Sequence, residues 1–235
     1  MASHAGEGAR DPAGRRPMSI EEIRASYTEC APWVDRFDWL DRRLTGRYRC
    51  RLFGDAEGRV LDVACGTGVN FRYLPSTADL VGIDVSPEML SKARDRLERL
   101  ERDGTLREMD AQALEFDDDS FDTVISSLST CTFPDPVAAI EEMDRVCKPT
   151  GRILLLEHGR SDVGPLARFQ DWYADAHYAT AGCRWNQKPL ELVLRAGLPV
   201  REASTHALGI ITLIDARPSR DSLVDAARAH LTPTR

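Results

Sequence analysis

The sequence predicts an α/β fold: a doubly wound, mostly parallel seven-stranded sheet with an antiparallel terminal hairpin and a helical insertion after strand five. Several apolar runs are short and continuous, as expected of parallel strands buried on both faces: VLDV, LVGI, TVIS and ILLL. These runs alternate with longer helical segments, a pattern typical of helices that cover both faces of such a sheet. The last two predicted strands follow one another directly, which indicates a hairpin.

The N-terminal part divides into a leader and a helical segment. Residues 1–17 are rich in Ala, Gly, Arg and Pro, so we expect a disordered leader. Residues 18–58 are predicted to form helices in two pieces, divided near Pro32. Ser19 and Glu22 have the spacing of a capping box, which marks a helix start.

The core of the chain is predicted to be one domain over residues 59–216. Its clearest helix has Ser86 as cap, Pro87 in the first turn and Gly104 as the stop. The first five strands are predicted at RVLDVACG, DLVGID, TLREMD, FDTVISSLS and RILLLEH. The helix before strand five is predicted to run through PDPVAAIEEMDRVCKPTG.

Beyond His158 the pattern changes. Residues 159–187 are rich in aromatic residues and contain His177, and we interpret them as a largely helical insertion on the substrate side. A helix at PLELVLRAGL and two hairpin strands follow. The tail, residues 217–235, is expected to form a short amphipathic helix.

Composition limits the function. The net charge of −7 argues against a nucleic acid as the main partner, because such partners require a basic face. No apolar run of about 18 residues and no secretory signal are present, so we expect a cytoplasmic protein without an integral membrane segment. The six cysteines form no CxxC pair and show no zinc-site spacing, so free thiols and no metal are expected. The oligomeric state is left open.

A glycine-rich loop, Asp62–Gly68, joins the first strand to a helix. Glycines allow a sharp turn and the close approach of a ligand, and the crevice at this edge of a parallel sheet is where ligands bind. Asp84 ends the second strand, sixteen residues after Gly68, where a carboxylate can accept hydrogen bonds from two ribose hydroxyls. A dinucleotide site fits poorly because Phe71 occupies the position of a small residue, although a dehydrogenase remains an alternative. A Walker loop fits poorly because Val69 follows Gly68.

Four segments together resemble the successive motifs of class I S-adenosylmethionine-dependent methyltransferases, which have a Rossmann-like fold. They cover residues 59–158 in the same order: VLDVACGTGVN, VGIDVSPEML, MDAQALEFDDDSFDTVISS and KPTGRILLLEH. The resemblance implies S-adenosyl-L-methionine as cofactor and S-adenosyl-L-homocysteine as product.

The resemblance also implies cofactor-binding roles. Asp84 would hold the ribose, and Asp62 would lie near the methionine ammonium. The other implied positions are the backbone of Ala64, Cys65, Gly66 and Gly68 around the methionine part, Val85, Met89, Asp110 and Ala111 around the adenine, and Ser126 and Ser127 at the methionine end. Structural alternatives stay open: Asp84 as a helix-entry turn, Asp110 as a loop residue, Ser126 as polar filler and Cys65 as a small buried apolar residue.

Two further resemblances concern the acceptor. SYTECAPWVDRFDWL is similar to the segment that covers the cofactor in the ubiquinone-biosynthesis-like branch. Tyr27 matches an aromatic of that segment, which implies that it binds the cofactor, and Val34 replaces a common Tyr. GTGVNFRYLP, LEH and the Gly182-Cys183 segment are similar to methyltransferase-like thiol S-methyltransferases and bacterial phospholipid N-methyltransferases.

We therefore predict methyl transfer to a small-molecule acceptor, with thiol sulfur or amine nitrogen ahead of oxygen, in secondary metabolism. A phospholipid or isoprenoid-quinone acceptor is one alternative, and a non-enzymatic cofactor-binding module is another. His158 and His177 are the candidate catalytic bases. Trp33, Trp172, Tyr173 and Trp185 are the candidate substrate-binding residues, with helix packing or a small local core as the alternative.

Overall fold

The computed structural model describes residues 18–36 and 38–220, with the side chains of residues 29–38 outside the description. The predictions for the leader 1–17, for the Trp33 side chain and for residues 221–235 of the tail therefore lie outside the described residues.

A single sheet of seven strands organises the described part of the chain. The strands are β1 (Arg59–Val63), β2 (Asp79–Asp84), β3 (Thr105–Glu108), β4 (Phe121–Ser127), β5 (Cys147–His158), β6 (Val200–His206) and β7 (Ile211–Ala216). Their order is β3-β2-β1-β4-β5-β7-β6. The first five strands pair in parallel, and β7 lies antiparallel between β5 and β6. The predicted fold class is confirmed.

Helices cover both faces of this sheet. They are α1 (Ile20–Arg36), α2 (Asp38–Phe53), α3 (Pro87–Arg99), α4 (Pro136–Val146), α5 (Gly164–Ala181) and α6 (Pro189–Arg195), with a 3-10 turn at Val69–Tyr73. The α3 start is as predicted, because the Ser86 side chain accepts a hydrogen bond from the Met89 N–H and Pro87 occupies the first turn. Helix α5 forms most of the insertion after β5.

Two apolar clusters, one on each face, hold the sheet between its helices. Ile140 and Met143 of α4 and Val193 of α6 belong to one cluster, and all three are fully buried. Phe53 of α2 and Ala93 of α3 belong to the other, also fully buried. The helices thereby fix the carboxyl ends of β1, β2, β4 and β5 at one edge, where the connecting loops form a crevice.

Several boundaries differ from the prediction, and α3 ends at Arg99, five residues before the expected stop at Gly104. Helix α1 continues past position 32 to Arg36, and α2 begins at Asp38. Helix α4 ends at Val146, five residues before the expected Gly151, because Cys147 pairs with Phe121 of β4 and is fully buried. The burial of this cysteine against the sheet favours an extended chain over another helical turn.

Candidate active site

The glycine-rich loop after β1 lines a cavity of about 550 Å³. Ala64, Gly66 and Gly68 all have positive φ angles, of 53°, 55° and 74°. A side chain on Gly68 would come within 2.3 Å of the Phe71 ring, whereas one on Gly66 would meet no atom within 4 Å. Gly68 is therefore needed for packing of the loop, and Gly66 faces open space in the cavity.

Asp84, at the end of β2, joins this loop to α3. One carboxylate oxygen accepts a hydrogen bond from the Gly66 N–H and the other from the Ser86 N–H, both at 2.9 Å. Burial raises the pKa of Asp84, and these backbone donors oppose the shift. The carboxylate is thus held at the cavity wall with Val85 and Met89 beside it.

A second wall of the cavity follows β3. Asp110 and Ala111 line it together with Met109. The Asp110 carboxylate accepts a hydrogen bond from the Gln112 N–H at 2.9 Å, which orients the side chain. Ala111 is buried, and the wall combines an apolar surface with one carboxylate.

Polar residues from α2 meet the ends of β1 and β4 at the opposite end of the cavity. The Asn70 amide donates to Asp62 at 3.0 Å, and its oxygen accepts from Ser127 at 3.0 Å and from Arg49. The guanidinium of Arg49 also donates to Ser127 at 2.5 Å and lies 3.4 Å from Asp41. Arg49 is 3% exposed, so the network places a buried positive charge at this end of the cavity.

Three predicted cofactor residues lie behind the cavity wall. Asp62 is fully buried behind Asn70, and burial raises its pKa to about 7 against the opposing effects of Asn70 and Arg49. Ser126 donates to the Val63 carbonyl at 3.1 Å, and Gly68 packs against Phe71. Ten of the predicted cofactor residues line the cavity: Tyr27, Ala64, Cys65, Gly66, Asp84, Val85, Met89, Asp110, Ala111 and Ser127.

Helix α1 covers the cavity. Ile20, Ile23 and Tyr27 line it from this side. The Tyr27 hydroxyl hydrogen-bonds with Thr132, and burial raises its pKa well above the usual value, so the phenol stays protonated. On the outer side, Thr28 donates to Glu88 of α3 at 2.7 Å, which fastens α1 over the site.

The two candidate bases lie elsewhere. His158 and His177 line a second, outer cavity of about 340 Å³ between α5 and the ends of β5 and β7, together with Leu166, Phe169, Gln170, Cys183, Trp185 and Ile210. The His158 Nε2 lies 3.3 Å from the Cys183 Sγ. Burial lowers the pKa of His158, but the hydrogen bond with Cys183 outweighs it and the pKa is raised.

The candidate substrate-binding aromatic residues of the insertion also lie away from the first cavity. Trp185 lines the outer cavity and stacks on His177 with 4.6 Å between ring centroids. Trp172 is 77% exposed, and Tyr173 contacts Phe169, so these two form an outward aromatic face of α5. Neither residue is among those that line the two cavities.

Comparison with known proteins identifies the family. A methyltransferase-domain family model matches residues 61–155. A phosphatidylethanolamine N-methyltransferase from Cereibacter sphaeroides is 38% identical over 171 residues, covering 67% of this chain and 83% of that protein. A ubiquinone/menaquinone biosynthesis C-methyltransferase from Citrifermentans bemidjiense is 34% identical over 167 residues, covering 65% of this chain and 68% of that protein.

Solved structures share the fold. The 4+2 cyclase SpnF superposes with a TM-score of 0.71 at 18% identity, covering 86% of this chain and 97% of that chain. An S-adenosylmethionine-dependent methyltransferase from Thermotoga maritima gives 0.65 at 18% identity, covering 83% and 99%. Because a cyclase shares this fold, the fold alone does not define the reaction.

The sheet order and the glycine loop define the class I methyltransferase fold. With the family match and the relatives above, the chain belongs to the S-adenosylmethionine-dependent methyltransferases. It is an enzyme of that family, and its cofactor is S-adenosylmethionine.

The cavity fits this cofactor chemically. The space beside Gly66 admits a ligand, Asp84 offers a carboxylate to ribose hydroxyls, and Asp110 with Ala111 offers an acceptor and a backbone donor to a base. Arg49 and Asp41 bring opposite charges to the far end, and the Asp41 Oδ2 is buried without a hydrogen-bond partner among the described residues. Opposite charges there suit the carboxylate and ammonium of an amino acid.

Arg49, Asp41 and Asn70 were not predicted from the sequence. Arg49 is one of five arginines in α2, and no local pattern distinguishes the one that turns inward. Asn70 lies two residues after the glycine loop, and its position there is the one signal that was open to sequence reasoning.

Proposed function

We propose that this methyltransferase methylates the amino group of a phospholipid headgroup at the surface of an anionic bilayer. The observation that carries the proposal is the outer face of α2, which is apolar and basic and borders the mouth of the cofactor cavity. Among the described residues, no helix combines the length and the apolar content needed to cross a bilayer. The proposed contact is with the membrane surface, through the exposed side chains of α2.

Helix α2 has the composition of an interfacial helix. Trp39 and Leu44 are 58% and 61% exposed, and Leu44 also lines the cavity with Leu40. Arg43 and Arg47 follow Trp39 at successive helical turns and are exposed. Exposed Trp and Leu beside arginines favour an anionic lipid interface, at about 1 kcal/mol for each basic residue near the surface.

The charge of α2 stands out against the whole chain. The helix carries five arginines and two aspartates, whereas the chain has a net charge of −7. A positive segment in an acidic protein directs one face toward a negative surface. This orientation brings the cavity mouth to the lipid headgroups.

The relatives support the acceptor class. The Cereibacter protein that matches 67% of this chain is named for methylation of phosphatidylethanolamine, and the Citrifermentans protein for ubiquinone/menaquinone biosynthesis. Both names refer to lipid-soluble acceptors. This ranks the phospholipid, which the sequence offered as an alternative, ahead of a soluble thiol.

We assign the cofactor contacts as part of the same proposal. Asp84 holds the ribose, and Asp110 with Ala111 holds the adenine, with Val85 and Met89 against the ring. The Ala64–Gly68 backbone and Ser127 surround the methionine part. Arg49 pairs with its carboxylate, and Asp41 pairs with its ammonium. Asp62 acts through Asn70, which it holds in place.

For methyl transfer to an amine, the protein mainly has to align the acceptor nitrogen with the methyl carbon and exclude water. S-adenosylmethionine supplies a methyl carbon activated by a sulfonium. The acceptor amine needs its neutral form, and burial in the cavity lowers an amine pKa. Tyr27, Ser129 and Thr132 line the cavity as neutral hydrogen-bonding groups. His158 and His177 take no part in this proposal, because they line the outer cavity.

The direct test is product analysis. The full chain is incubated with methyl-labelled S-adenosylmethionine and vesicles of phosphatidylethanolamine with phosphatidylglycerol. We expect labelled N-methylated phosphatidylethanolamine by mass spectrometry. Parallel reactions contain phosphatidylcholine vesicles, a quinone precursor in vesicles, or a soluble aliphatic thiol. Label that enters the thiol or the quinone and leaves the amine lipid unlabelled would overturn the proposal.

A surface variant tests the role of α2. The substitution Trp39→Ser should lower activity on vesicles and vesicle co-sedimentation by at least about tenfold, because this side chain is exposed, apolar and outside the cofactor cavity. Cofactor affinity, measured by calorimetry, should stay within about twofold. Leu194→Ser is the matched control, since Leu194 of α6 is 57% exposed and outside both cavities. Equal loss in the control would remove α2 from the proposal.

A further inference from the structure

Three metal-ligating side chains from distant parts of the chain meet beside the outer cavity. Cys131 follows β4, His158 ends β5 and Cys183 follows α5. Their ligand atoms all lie within 4.8 Å of one another, and the His158 Nε2 is 3.3 Å from the Cys183 Sγ. Cys131 is buried, and the other two are partly buried at the cavity wall.

The spacing of these atoms suits a tetrahedral ion. Sulfur and nitrogen ligands bind zinc at about 2.3 and 2.0 Å, so two such ligands at a tetrahedral angle lie roughly 3.5–3.8 Å apart. The His158 Nε2 and the Cys183 Sγ, 3.3 Å apart, are close to that separation, and every pair of ligand atoms in the cluster lies within 4.8 Å.

The types of ligand atom indicate which metal such a site would favour. Two thiolates and one imidazole are soft to borderline ligands, which favour zinc over magnesium or calcium. Two thiolates balance the charge of a divalent ion, so the bound centre is neutral and can stay buried at the end of the sheet.

We propose that Cys131, His158 and Cys183 bind one Zn²⁺ ion, with the fourth coordination position open to the outer cavity. His177 lies on that side, within hydrogen-bonding reach of Cys183. The ion ties the insertion that contains α5 to the ends of β4 and β5. The two thiols lose their protons to solvent when the ion binds. The site is separate from the cofactor cavity and independent of the acceptor proposed above.

The test is metal binding by the full chain. Protein treated with chelator under reducing conditions is titrated with Zn²⁺ and with Co²⁺ as a spectroscopic probe. We expect one ion per chain, a sulfur-to-cobalt charge-transfer band, and an increase in melting temperature with zinc. Zinc should also protect Cys131 and Cys183 from alkylation in peptide mass spectra, while Cys50, which is exposed, still reacts.

Variants separate this site from other cysteines. Cys183→Ser and His158→Gln should each lower zinc affinity by at least about 100-fold, with S-adenosylmethionine binding retained as evidence of folding. Cys50→Ser and His206→Gln are the matched controls and should bind zinc like the unaltered chain. Binding below one tenth of an ion per chain, equal binding by the variants, or isolation with a Cys131–Cys183 disulfide that resists reduction would overturn the proposal. If the variants fail to fold, the alkylation pattern of the unaltered chain decides.

Discussion

The cofactor cavity and the outer cavity differ in chemistry and in the way the chain builds them. The cofactor cavity is lined by carboxylates, one buried arginine and a glycine loop, at the ends of neighbouring parallel strands. The outer cavity is lined by aromatic rings, two histidines and a cysteine, between α5 and the sheet. The first has side chains of both charges, as a charged nucleoside cofactor requires, and the second has aromatic rings with sulfur and imidazole groups.

This difference assigns separate tasks to the two regions. Charged and hydrogen-bonding groups that meet a cofactor are concentrated where the sheet geometry is most constrained, because precise alignment lowers the barrier to group transfer. The insertion that contains α5 lies outside the strand ends that form the cofactor cavity. Changes in the insertion should therefore leave cofactor affinity intact, and changes at the strand ends should abolish it.

Substitution of Asp84 should produce the largest effect. Asp84→Asn and Asp84→Ala are expected to lower S-adenosylmethionine affinity at least about 100-fold, because the carboxylate would accept charged hydrogen bonds from two ribose hydroxyls, at about 1.5–3 kcal/mol each, and it also anchors the Gly66 N–H. Calorimetry measures the loss. Asp79→Asn, at the exposed start of β2, is the control. Affinity like that of the unaltered chain would show that the ribose assignment is wrong.

Arg49 should separate the two ends of the cofactor cavity. Arg49→Met is expected to weaken S-adenosylmethionine binding about 10- to 100-fold, because the carboxylate loses a buried charged partner. Binding of 5′-methylthioadenosine, which lacks the amino-acid end, should change by no more than about twofold. Equal losses for both ligands would mean that Arg49 supports the fold of the site rather than the carboxylate.

Asp62 should make stability depend on pH. Burial raises its folded pKa to about 7, above the unfolded value of 3.8. The folded chain then holds the Asp62 proton more tightly than the unfolded chain does. The stabilisation that this proton gives to the folded state is fully present below about pH 4 and is lost as the pH rises to about 7. Asp62→Asn should gain stability relative to the unaltered chain over this window, by up to about 1.4 kcal/mol per pH unit.

Denaturant unfolding at several pH values measures this difference. Asp79→Asn, which removes an exposed carboxylate of the same sheet, should show no such gain. A constant difference between Asp62→Asn and the unaltered chain across pH 4–7 would contradict a neutral buried Asp62.

Substitution in α1, the helix that covers the cavity, should have the smallest effect on cofactor binding. Arg24 of α1 pairs with Glu108 at the surface, and Thr28 donates to Glu88. Because exposed ion pairs contribute about 0–1 kcal/mol, Arg24→Ala should change cofactor dissociation by only a few-fold in stopped-flow experiments. Arg94→Ala, on the exposed face of α3, is the control. A tenfold or larger effect would show that closure of α1 depends on this pair.

The sequence predicted the sheet, and it predicted several residues that line the cavity near Asp84 and Asp110, because both depend on local patterns. Continuous apolar runs defined β1, β2, β4 and β5. The chain passes from Gly68 to Asp84 through the 3-10 turn, a short loop and strand β2. Asp84 and Gly66 could be located by this spacing alone, since the fold places consecutive strand ends side by side.

The remaining features depend on long-range packing. Arg49 turns inward because Asn70 and Ser127 accept its hydrogen bonds, and those residues lie 21 and 78 positions away. Cys131 and Cys183 lie near His158 only because α5 folds back on the sheet. No local spacing of cysteines and histidines in the sequence therefore indicates this cluster. Trp172, predicted from composition to bind substrate, is exposed because α5 buries its opposite face through Ala167, Gln170, Ala174 and Tyr178.

Helix α2 presents Arg49 to the cavity that we assign to the cofactor, and it exposes Trp39 at the surface that we propose to meet a bilayer. If one helix contacts both ligands, it couples the two binding equilibria. By thermodynamic reciprocity, any factor by which a bilayer alters cofactor affinity is the factor by which the cofactor alters bilayer affinity. In the proposed membrane-bound state, loss of the sulfonium charge on methyl transfer would thereby change the affinity for the bilayer as well as the affinity for the product.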